Sequence, residues 1–263
     1  MLKLSIITIN YNNAEGLEKT IQSVVAQTFI NYEFIIIDGN STDNSKQIIE
    51  KYHHKITSWV SEPDTGIYNA MNKGILKATG KYCLFLNSGD YLVNENIIDK
   101  IFNTSPIEDI IYGELIFDFK NNNQVLKKLP SILTLTYLFY DNIWHPASFI
   151  KRNLFNKCLY KENYEIAADY DFFFNAIIIK MVKTKYLPFP ITVYETSGLS
   201  SKPDNFEKIK LERQTIHQSY LDRETIIYLK AIVRFYNKPF FKWLINKTLL
   251  IKTVKYFLKK NPQ

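Results

Sequence analysis

Apolar and polar positions follow two periodic patterns along the first 90 residues. Short, almost continuous apolar runs predict buried strands over residues 4–9, 34–37, 56–60 and 82–86. Between these runs, apolar residues at spacings of three and four predict helices, including a stripe from Ile67 to Ala78. This order of strands and helices implies right-handed crossovers. We therefore expect an α/β fold, with a mostly parallel, Rossmann-like sheet flanked by helices.

The pattern is less regular after Asp90. It predicts a helix over residues 97–102, strands over 110–119 and 124–129, and a further strand over 143–149. Residues 177–186 fit a helix or a strand equally well. A change in composition and a cluster of turn residues near 200–205 separate this part of the chain from the last 60 residues.

Charge is unevenly distributed along the 263 residues. The net charge is +7, yet nine basic residues and no acidic residue lie from Thr225 onward, so the preceding residues sum to −2. Leu250, Val254 and Phe257 fall on one helical stripe, and lysines fall on another. This pattern is typical of an amphipathic helix on an anionic membrane surface. A helix that packs on the body and exposes its basic face is the alternative.

Cysteine usage and leader sequence bear on the cellular setting. Cys83 and Cys158 form no C-x-x-C motif and no cluster with histidines, so neither a zinc site nor a redox site is predicted. The sequence shows no charged-then-apolar leader and no uncharged apolar run of ~18 residues. We expect a cytoplasmic protein, with peripheral attachment to the inner face of the plasma membrane through the basic tail.

Polar side chains follow the predicted strands where each strand ends. Thr8 and Asn10 end the first strand, Asp38 ends the second, and Asn-Ser-Gly-Asp follows the fourth at residues 87–90. Open α/β folds bind ligands at this carboxyl edge of the sheet. A carboxylate there can accept an N–H group of a nucleotide base. The alternative for Asp38 is a turn with Gly39 that begins the next helix.

A second polar segment precedes the helix over residues 67–78. Asp64-x-Gly66 leads into a first turn that can offer backbone N–H groups to a phosphate. Asn72 and Lys73 lie on or beside one face of this helix. A solvated helical surface is the alternative for both residues.

Four segments in order resemble the nucleotide-sugar half of the family 2 glycosyltransferases: residues 5–12, 35–43, 62–74 and 85–90. The resemblance extends over about residues 3–200 and implies a fold of the GT-A type. It implies an inverting glycosyltransferase that moves a sugar from a nucleotide-sugar donor to a glycan or lipid-linked acceptor, in bacterial polysaccharide or lipopolysaccharide biosynthesis. The expected domains are a transferase over 1–205, with a nucleotide half over 1–92 and an acceptor half over 93–205, and a helical, basic, amphipathic region over 206–263.

The resemblance also implies roles for single residues. The expected nucleotide-sugar site comprises Thr8, Asn10, Asp38, Asp64, Asn72, Lys73 and Ser88. Asp90 takes the place of the family's acidic metal motif and implies a divalent cation, Mn²⁺ or Mg²⁺, although the other acids of that motif are absent here. The segment at 168–171 resembles the late acidic motif, so that Asp169 becomes the general base for the acceptor hydroxyl. A helix N-cap is a compatible role for Asp169.

The remaining expectations concern the acceptor and the late loop. Trp144, His145 and Asp171 are candidates for contacts with the acceptor or the diphosphate. Residues 198–201 resemble a loop that closes over the donor, and an ordinary surface loop fits them equally well. In most family members a basic residue occupies the place of Met71, and Lys73 is the candidate substitute.

Three other functions compete with this interpretation. A nucleotidyltransferase needs a Gly-rich, basic loop after the first strand, which residues 9–16 lack. A degenerate family member that binds the donor without turnover is favoured by the absent acids at Asn87, Gly89 and Ala168. The basic tail would also suit nucleic acid, with salt-sensitive binding. Binding to anionic membranes is preferred, and no nucleic-acid partner is expected.

Overall fold

The structure is a computed structural model that describes residues 2–119, 123–196, 198 and 201–236. The described residues contain strands β1 (Leu4–Asn10), β2 (Tyr32–Asp38), β3 (Ser58–Ser61), β4 (Tyr82–Phe85), β5 (Tyr91–Leu92), β6 (Ile110–Phe119), β7 (Asn123–Lys127), β8 (Ser148–Lys151) and β9 (Thr184–Glu195). They also contain helices α1 (Ala14–Val25), α2 (Ser45–Lys51), α3 (Ile67–Lys77), α4 (Ile97–Phe102), α5 (Leu135–Tyr140), α6 (Ala168–Phe174), α7 (Phe206–Tyr220) and α8 (Arg223–Tyr236). The predicted stripe of the tail, beyond residue 236, lies outside the described residues, as do Leu199 and Ser200 of the late loop.

The strands form one sheet in the order β3-β2-β1-β4-β8-β6-β9-β5. Strand β7 also pairs with β6, along residues 115–119, whereas β8 pairs with residues 110–112. Strands β3, β2, β1 and β4 are parallel, and β6 is parallel to β9. Strands β5, β7 and β8 run antiparallel to their neighbours. The α/β class predicted from the alternation of elements is therefore confirmed, and the parallel half coincides with the first 90 residues.

Two hydrophobic clusters cover the two faces of the sheet. In β1, Ile7 and Ile9 pack toward the cluster that contains α3, whereas Leu4 and Ile6 pack toward the cluster that contains α1. Side chains of a strand alternate between faces, so a continuous apolar run supplies both clusters. Gly74 of α3 lies against the Ile7 side chain, and any larger residue there would collide with it.

The second half departs from the sequence prediction in three places. The strand predicted over 143–149 is wrong in its first part, because Pro146 lies in a 3₁₀ turn at His145–Ala147 and β8 begins only at Ser148. Proline lacks the N–H group that a sheet ladder requires, which explains the late start. The ambiguous stretch 177–186 divides into a π-helical turn at Asn175–Ile179 and the start of β9.

The N-cap role expected for Asp169 is also wrong. Helix α6 begins at Ala168 and its N-cap is Ala167, so Asp169 lies inside the first turn. Its carboxylate still accepts a backbone hydrogen bond, from the N–H group of Tyr170.

Helix α7 packs on the preceding part of the chain, because its side chains contact residues 165–170. The domain boundary near residue 205 stays a prediction. No helix within residues 2–119, 123–196 and 201–236 is both long and apolar enough to cross a membrane.

Candidate active site at the carboxyl edge of the parallel strands

Hydrogen bonds join the ends of three neighbouring strands. The Asn10 amide donates to Asp38 Oδ1 over 2.7 Å, and Asn10 Oδ1 accepts from the Ser88 hydroxyl over 2.7 Å. Because β2, β1 and β4 are adjacent and parallel, their last residues meet at one edge. We call Asp38, Asn10 and Ser88 the strand-end network. Three of the predicted nucleotide-sugar residues are thereby in mutual contact.

Asp38 is completely buried and fully hydrogen-bonded. It accepts from the Asn10 amide, from the Ser41 hydroxyl and backbone N–H, and from the Ser61 hydroxyl. Burial opposes ionisation, but the bonds from Ser41, Ser61 and Asn10 outweigh it and hold the pKa of Asp38 below its usual value. A carboxylate has about four acceptor positions. A nucleotide base that bonds to Asp38 therefore has to displace one of these donors.

Asp64 lies beside this network on the loop before α3. A Cβ atom at Gly39 would lie 2.5 Å from Asp64 Oδ2, so the absence of a side chain at position 39 leaves room for the Asp64 carboxylate. Asp64 Oδ1 accepts from the Gly66 N–H over 3.1 Å. Burial and the nearby Asp38 charge raise the pKa of Asp64, against lowering by Gly66 and Lys73. Asp64 thus sits next to Asp38 on the expected donor side.

Asp90 is buried with one of its two carboxylate oxygens unpaired. Oδ1 accepts from the Glu195 backbone N–H over 3.1 Å, whereas Oδ2 has no hydrogen-bond partner among the described residues. Burial raises the pKa of Asp90 to about 7, although the nearby His145 and backbone N–H groups lower it. The preceding Gly89 has a φ of +106°, a conformation that favours glycine, and it lies against the Glu195 side chain.

The unpaired Asp90 oxygen fits a divalent cation. Mg²⁺ takes oxygen ligands and is usually bound through one or two carboxylates together with phosphates and waters. Asn87 Oδ1, in the same loop, is also buried without a partner among the described residues. In the described part of the chain, no three or more His, Cys, Asp or Glu residues form a group that could hold a metal. These residues suit a cation shared with a bound diphosphate.

Asp169 is held by three donors from different elements. Its Oδ1 accepts from the Tyr68 hydroxyl over 3.0 Å and from the Tyr170 backbone N–H over 2.7 Å. Its Oδ2 lies 2.9 Å from His145 Nδ1. About one acceptor position of the carboxylate remains for a substrate hydroxyl. The Tyr68 contact was not anticipated from the sequence, in which Tyr68 only appeared between apolar helix positions.

His145 connects Asp169 to the loop after β4. Its Nε2 lies 3.2 Å from the Asn87 amide nitrogen, while Nδ1 faces Asp169. Because a carboxylate oxygen accepts hydrogen bonds, Nδ1 carries the proton that points toward Asp169. Since Asn87 precedes Ser88, the chain of contacts runs from Asp38 through the loop after β4 to Asp169.

Helix α7 supplies a residue that the sequence did not indicate. The Glu212 carboxylate accepts the backbone N–H groups of three consecutive residues, 165, 166 and 167, over 2.8–3.1 Å. These residues immediately precede α6, whose second residue is Asp169. A glutamate on a mostly polar helix has no sequence pattern that reveals such a partner.

Two residues of the expected nucleotide-sugar site, Asn72 and Lys73, contact the loops around it. Asn72 is buried, donates to the Tyr160 carbonyl oxygen and Glu162, and accepts from the Tyr160 N–H. Lys73 pairs with Glu62 over 2.9 Å and donates to the Pro63 carbonyl oxygen. Lys73 therefore anchors the loop that carries Asp64.

The side chains of three other predicted residues take no part in the hydrogen-bond chain. Thr8 is fully buried, and its hydroxyl has no partner among the described residues. Asp171 is buried and pairs with Lys161 over 3.1 Å. Trp144 packs edge-on against Phe117, with ring centroids 5.6 Å apart. Met71 lies in the hydrophobic core, which accounts for an apolar residue at that position.

Comparison with known sequences identifies the family. Residues 5–140 match the family model described as Glycosyl transferase family 2. A PGL/p-HBAD biosynthesis glycosyltransferase of Mycobacterium tuberculosis is 29% identical over 205 residues, which span 75% of this chain and 78% of the relative. An uncharacterized glycosyltransferase of the same organism is 30% identical over 182 residues, spanning 67% of this chain and 69% of the relative.

Comparison with solved structures gives the same fold. Staphylococcus aureus TarS in complex with UDP superposes with a TM-score of 0.66 at 20% identity, covering 97% of this chain and 78% of that chain. The mannosyltransferase PcManGT from Pyrobaculum calidifontis, in complex with GDP-Man and Mn²⁺, has a TM-score of 0.56 at 12% identity, covering 98% of this chain and 88% of that one. The GT-A-type architecture expected from the resemblance is confirmed. With its matched domain, its relatives and its fold in agreement, the chain is a glycosyltransferase and belongs to glycosyl transferase family 2.

Proposed function

We propose that this glycosyltransferase moves a sugar, with inversion at the anomeric carbon, from a nucleotide-sugar donor to a hydroxyl of a glycan or lipid-linked acceptor. The observation that carries the proposal is the Asp169 carboxylate, held by His145 and Tyr68 and joined through Asn87 to the strand-end loops. Asp169 and the strand-end loops thereby belong to one hydrogen-bonded structure, which supports the role of Asp169 as a general base beside a nucleotide site.

Asp169 acts as the base in this mechanism. Its carboxylate takes the proton from the acceptor hydroxyl as the hydroxyl oxygen attacks the anomeric carbon. The bond between that carbon and the diphosphate breaks on the opposite face, and its electron pair leaves with the nucleoside diphosphate. His145, through Nδ1–H, fixes the orientation of the carboxylate. A single carboxylate suffices because the leaving group is already activated.

The donor is placed along the strand ends. Asp38 and Asn10 shape the base pocket, and Asp64 lies beside them on the loop before α3. The neighbouring structures contain UDP, UDP-GlcNAc or GDP-Man, which supports a nucleotide-sugar donor without selecting its base or sugar. Thr8, Asn72 and Lys73 then contribute by supporting this edge.

Asp90 would hold the divalent cation, Mn²⁺ or Mg²⁺. Its buried, unpaired Oδ2 supports this role, as does the Mn²⁺ in the PcManGT complex. When bound, the cation would supply positive charge to the departing diphosphate.

The acceptor is placed next to Trp144 and His145. Trp144, Phe117 and Tyr194 form an aromatic group beside the base, and aromatic rings can pack on the apolar face of a sugar. The mycobacterial relative named for PGL/p-HBAD biosynthesis supports a role in bacterial glycan assembly, such as polysaccharide or lipopolysaccharide synthesis. The basic tail would hold the enzyme at the inner face of an anionic plasma membrane.

Substitution of the base tests the catalytic proposal. Asp169→Asn should lower sugar transfer by about 10²-fold or more while donor affinity stays near that of the wild type. Transfer is measured as nucleoside diphosphate release from a panel of UDP- and GDP-sugars with glycan or lipid-linked acceptors, and donor affinity by calorimetry.

The matched control is Asp171→Asn, two residues further along α6. Asp171 pairs with Lys161 and takes no part in the hydrogen-bond chain, so its loss should lower the melting temperature more than the turnover. Near-normal turnover in Asp169→Asn would remove Asp169 from the role of base. Donor binding by the wild type without any turnover would favour the degenerate, non-catalytic alternative, which the acids missing at Asn87, Gly89 and Ala168 suggest.

A further inference from the structure

A groove of about 360 Å³ lies between α5, α7 and α8. We call it the α7–α8 groove, and its lining includes Phe139, Phe206, Ile209, Arg213, Ile226 and Lys230. None of the strand-end residues and neither member of the His145–Asp169 pair lines it. Its volume falls within the roughly 300–1,000 Å³ typical of small-molecule sites. The groove is thus a second candidate site, separate from the catalytic edge.

The lining combines an apolar surface with positive charge. Phe139, Ile209 and Ile226 provide apolar contacts, and the Phe206 side chain, 56% exposed, stands at the surface. The charged lining residues are Lys210, Arg213 and Lys230, and no acidic residue of the described ranges lines the groove. A ligand that matches both features has an anionic end and a hydrocarbon part.

The cations are largely without acidic partners. Within the described ranges, neither Arg213 nor Lys230 forms an ion pair, and Lys210 pairs only with the exposed Glu207 on its own helix. Arg213 donates through Nη2 to the carbonyl oxygens of Phe139 and Asp141, which leaves further N–H groups of the guanidinium for a ligand. These charges are therefore available to an anion.

The buried His217, which also lines the groove, is affected by the same positive charges. His217 stacks on Phe139, with ring centroids 4.1 Å apart. Burial, together with the charges of Arg213 and Lys230, lowers the pKa of His217 to about 4. His217 therefore stays neutral near pH 7, and the positive charge of the groove comes from Lys210, Arg213 and Lys230.

We propose that the α7–α8 groove binds the phosphate group and the adjoining hydrocarbon of an anionic membrane lipid. Charge selects this occupant over the chain's own tail, because residues 237–263 contain seven lysines and no acidic residue. The neighbouring helix surfaces also expose large apolar side chains, namely Leu211, Ile227 and Tyr228. Such side chains can enter the boundary between headgroups and acyl chains. The proposal concerns attachment and does not depend on the sugar transfer.

The binding test uses the full chain and three soluble probes. Dodecyl phosphate, below its micelle-forming concentration, carries the anionic end and the hydrocarbon; inorganic phosphate carries only the first, and dodecyl maltoside only the second. Calorimetry should show saturable binding of one dodecyl phosphate, at least tenfold tighter than either other probe. Equal affinity for inorganic phosphate would indicate a simple anion site, and equal affinity for dodecyl maltoside an apolar one, and either result would overturn the proposal.

Paired variants locate the binding. Lys210→Glu combined with Lys230→Glu should weaken dodecyl phosphate binding at least tenfold, because both exposed lysines become repulsive. Lys55→Glu combined with Lys157→Glu reverses two exposed lysines that do not line the groove and should leave the affinity unchanged. In the same way, Phe206→Ser should weaken binding, whereas Ile30→Ser, at a side chain 90% exposed, should not.

A measurement of nucleotide-sugar binding distinguishes a failure of the groove proposal from a failure of the proposed function. All four variants should bind the nucleotide sugar as the wild type does, since no strand-end residue is changed. Loss of donor binding together with loss of dodecyl phosphate binding would indicate a general fold defect and overturn the site assignment. A full chain that binds no dodecyl phosphate, while a chain ending at residue 236 does, would show the tail to be the occupant and equally overturn it.

Discussion

Asp38 and Asp90 are both buried carboxylates at or after the ends of parallel strands of the sheet, β2 and β4, yet their pKa values shift in opposite directions. Asp38 receives four hydrogen bonds, and its pKa falls. Asp90 receives only the Glu195 N–H on one oxygen, and burial raises its pKa to about 7. The number of donors, rather than burial, decides the sign. The donors to Asp38 all come from the chain itself, whereas Asp90 Oδ2 has no hydrogen-bond partner among the described residues.

Asp90→Asn tests whether this carboxylate oxygen binds a divalent cation. In the wild type, Mn²⁺ should raise the melting temperature further when UDP or GDP is present, because ligands that bind only the native state stabilise it. The neutral amide should weaken this metal effect by at least about tenfold in apparent affinity, since a hard cation prefers a carboxylate oxygen. Thermal shift titrations with Mn²⁺ measure it, with and without nucleotide.

Asp43→Asn serves as the control for the metal experiment. Asp43 bonds to the backbone N–H groups of Ala14 and Ser45, so its substitution should affect stability but not the response to Mn²⁺. An unchanged response to Mn²⁺ in Asp90→Asn would show that the metal-binding role implied for Asp90 by the family resemblance is wrong.

At the scale of elements, α7 determines the position of α6. Glu212 binds the three backbone N–H groups before α6, and His217 contacts the hydroxyl of Tyr170, the residue after Asp169, over 2.5 Å. Tyr170 in turn donates to the Leu138 carbonyl oxygen of α5. The proposed base is therefore held by helices on both sides of it.

Glu212→Ala should misplace the first turn of α6. We expect turnover to fall by about tenfold or more with little change in donor affinity, because a base displaced by ~1 Å reacts much more slowly. Glu212→Gln should restore part of the turnover, since its carbonyl oxygen can still accept a hydrogen bond. Steady-state kinetics with a separate measurement of donor affinity distinguish this from unfolding. Glu224→Ala, at an exposed position of α8, is the control, and equal losses in both variants would contradict the positioning role.

His217 gives the contact between α7 and α6 a predictable pH dependence. Its pKa is about 4 in the folded chain and near 6.5 in the unfolded chain. Between these values the unfolded state binds more protons, so the free energy of unfolding falls as pH drops from 6.5 toward 4 and is fully restored above 6.5. At pH 5 the loss should be on the order of 2 kcal/mol.

Urea denaturation at pH 5 and pH 7.5 measures this difference. His217→Gln should make the difference between the two pH values smaller than in the wild type, because the titrating group is gone. His53→Gln, at an exposed histidine, should leave it unchanged. A wild-type pH dependence preserved in His217→Gln would exclude His217 as its source.

At the scale of the whole molecule, the catalytic edge and the basic tail are predicted to have separate tasks. Residues 237–263 contain seven lysines and no acidic residue, and each lysine near an anionic bilayer can contribute ~1 kcal/mol. A chain that ends at residue 236 should lose most of its binding to anionic vesicles in flotation assays and retain donor binding. Full-length binding should weaken as salt rises, because the charges are screened.

Two comparisons complete the tail experiment. Neutral vesicles should bind neither chain, and a short soluble acceptor should be used equally well by both. If the full-length protein ignores anionic vesicles at low salt, the tail has a role other than attachment. Dodecyl phosphate binding in the α7–α8 groove should survive the truncation, which separates the two membrane contacts.

The sequence by itself determined the parallel half of the fold, because apolar periodicity depends on local order along the chain. The strands, the helices between them and the residues at the strand ends follow directly from spacings of two and of three to four. The resemblance carried by those strand ends identified the family and placed Asp38, Asp90 and Asp169 as candidates. Each of these motifs is contained in a few consecutive residues, so it can be recognised without knowledge of the tertiary structure.

Only the tertiary structure decided how those residues are paired. Asp169 meets His145 and Tyr68 from positions 24 and 101 residues away, and Lys73 pairs with Glu62 instead of facing the open edge. Partners so distant leave no periodic trace, since each is a single polar residue on an otherwise ordinary element. The same holds for Glu212 and for the groove lined by Arg213 and Lys230, because both exist only once α7 and α8 pack against the body. Long-range packing therefore converts a set of candidate residues into a site.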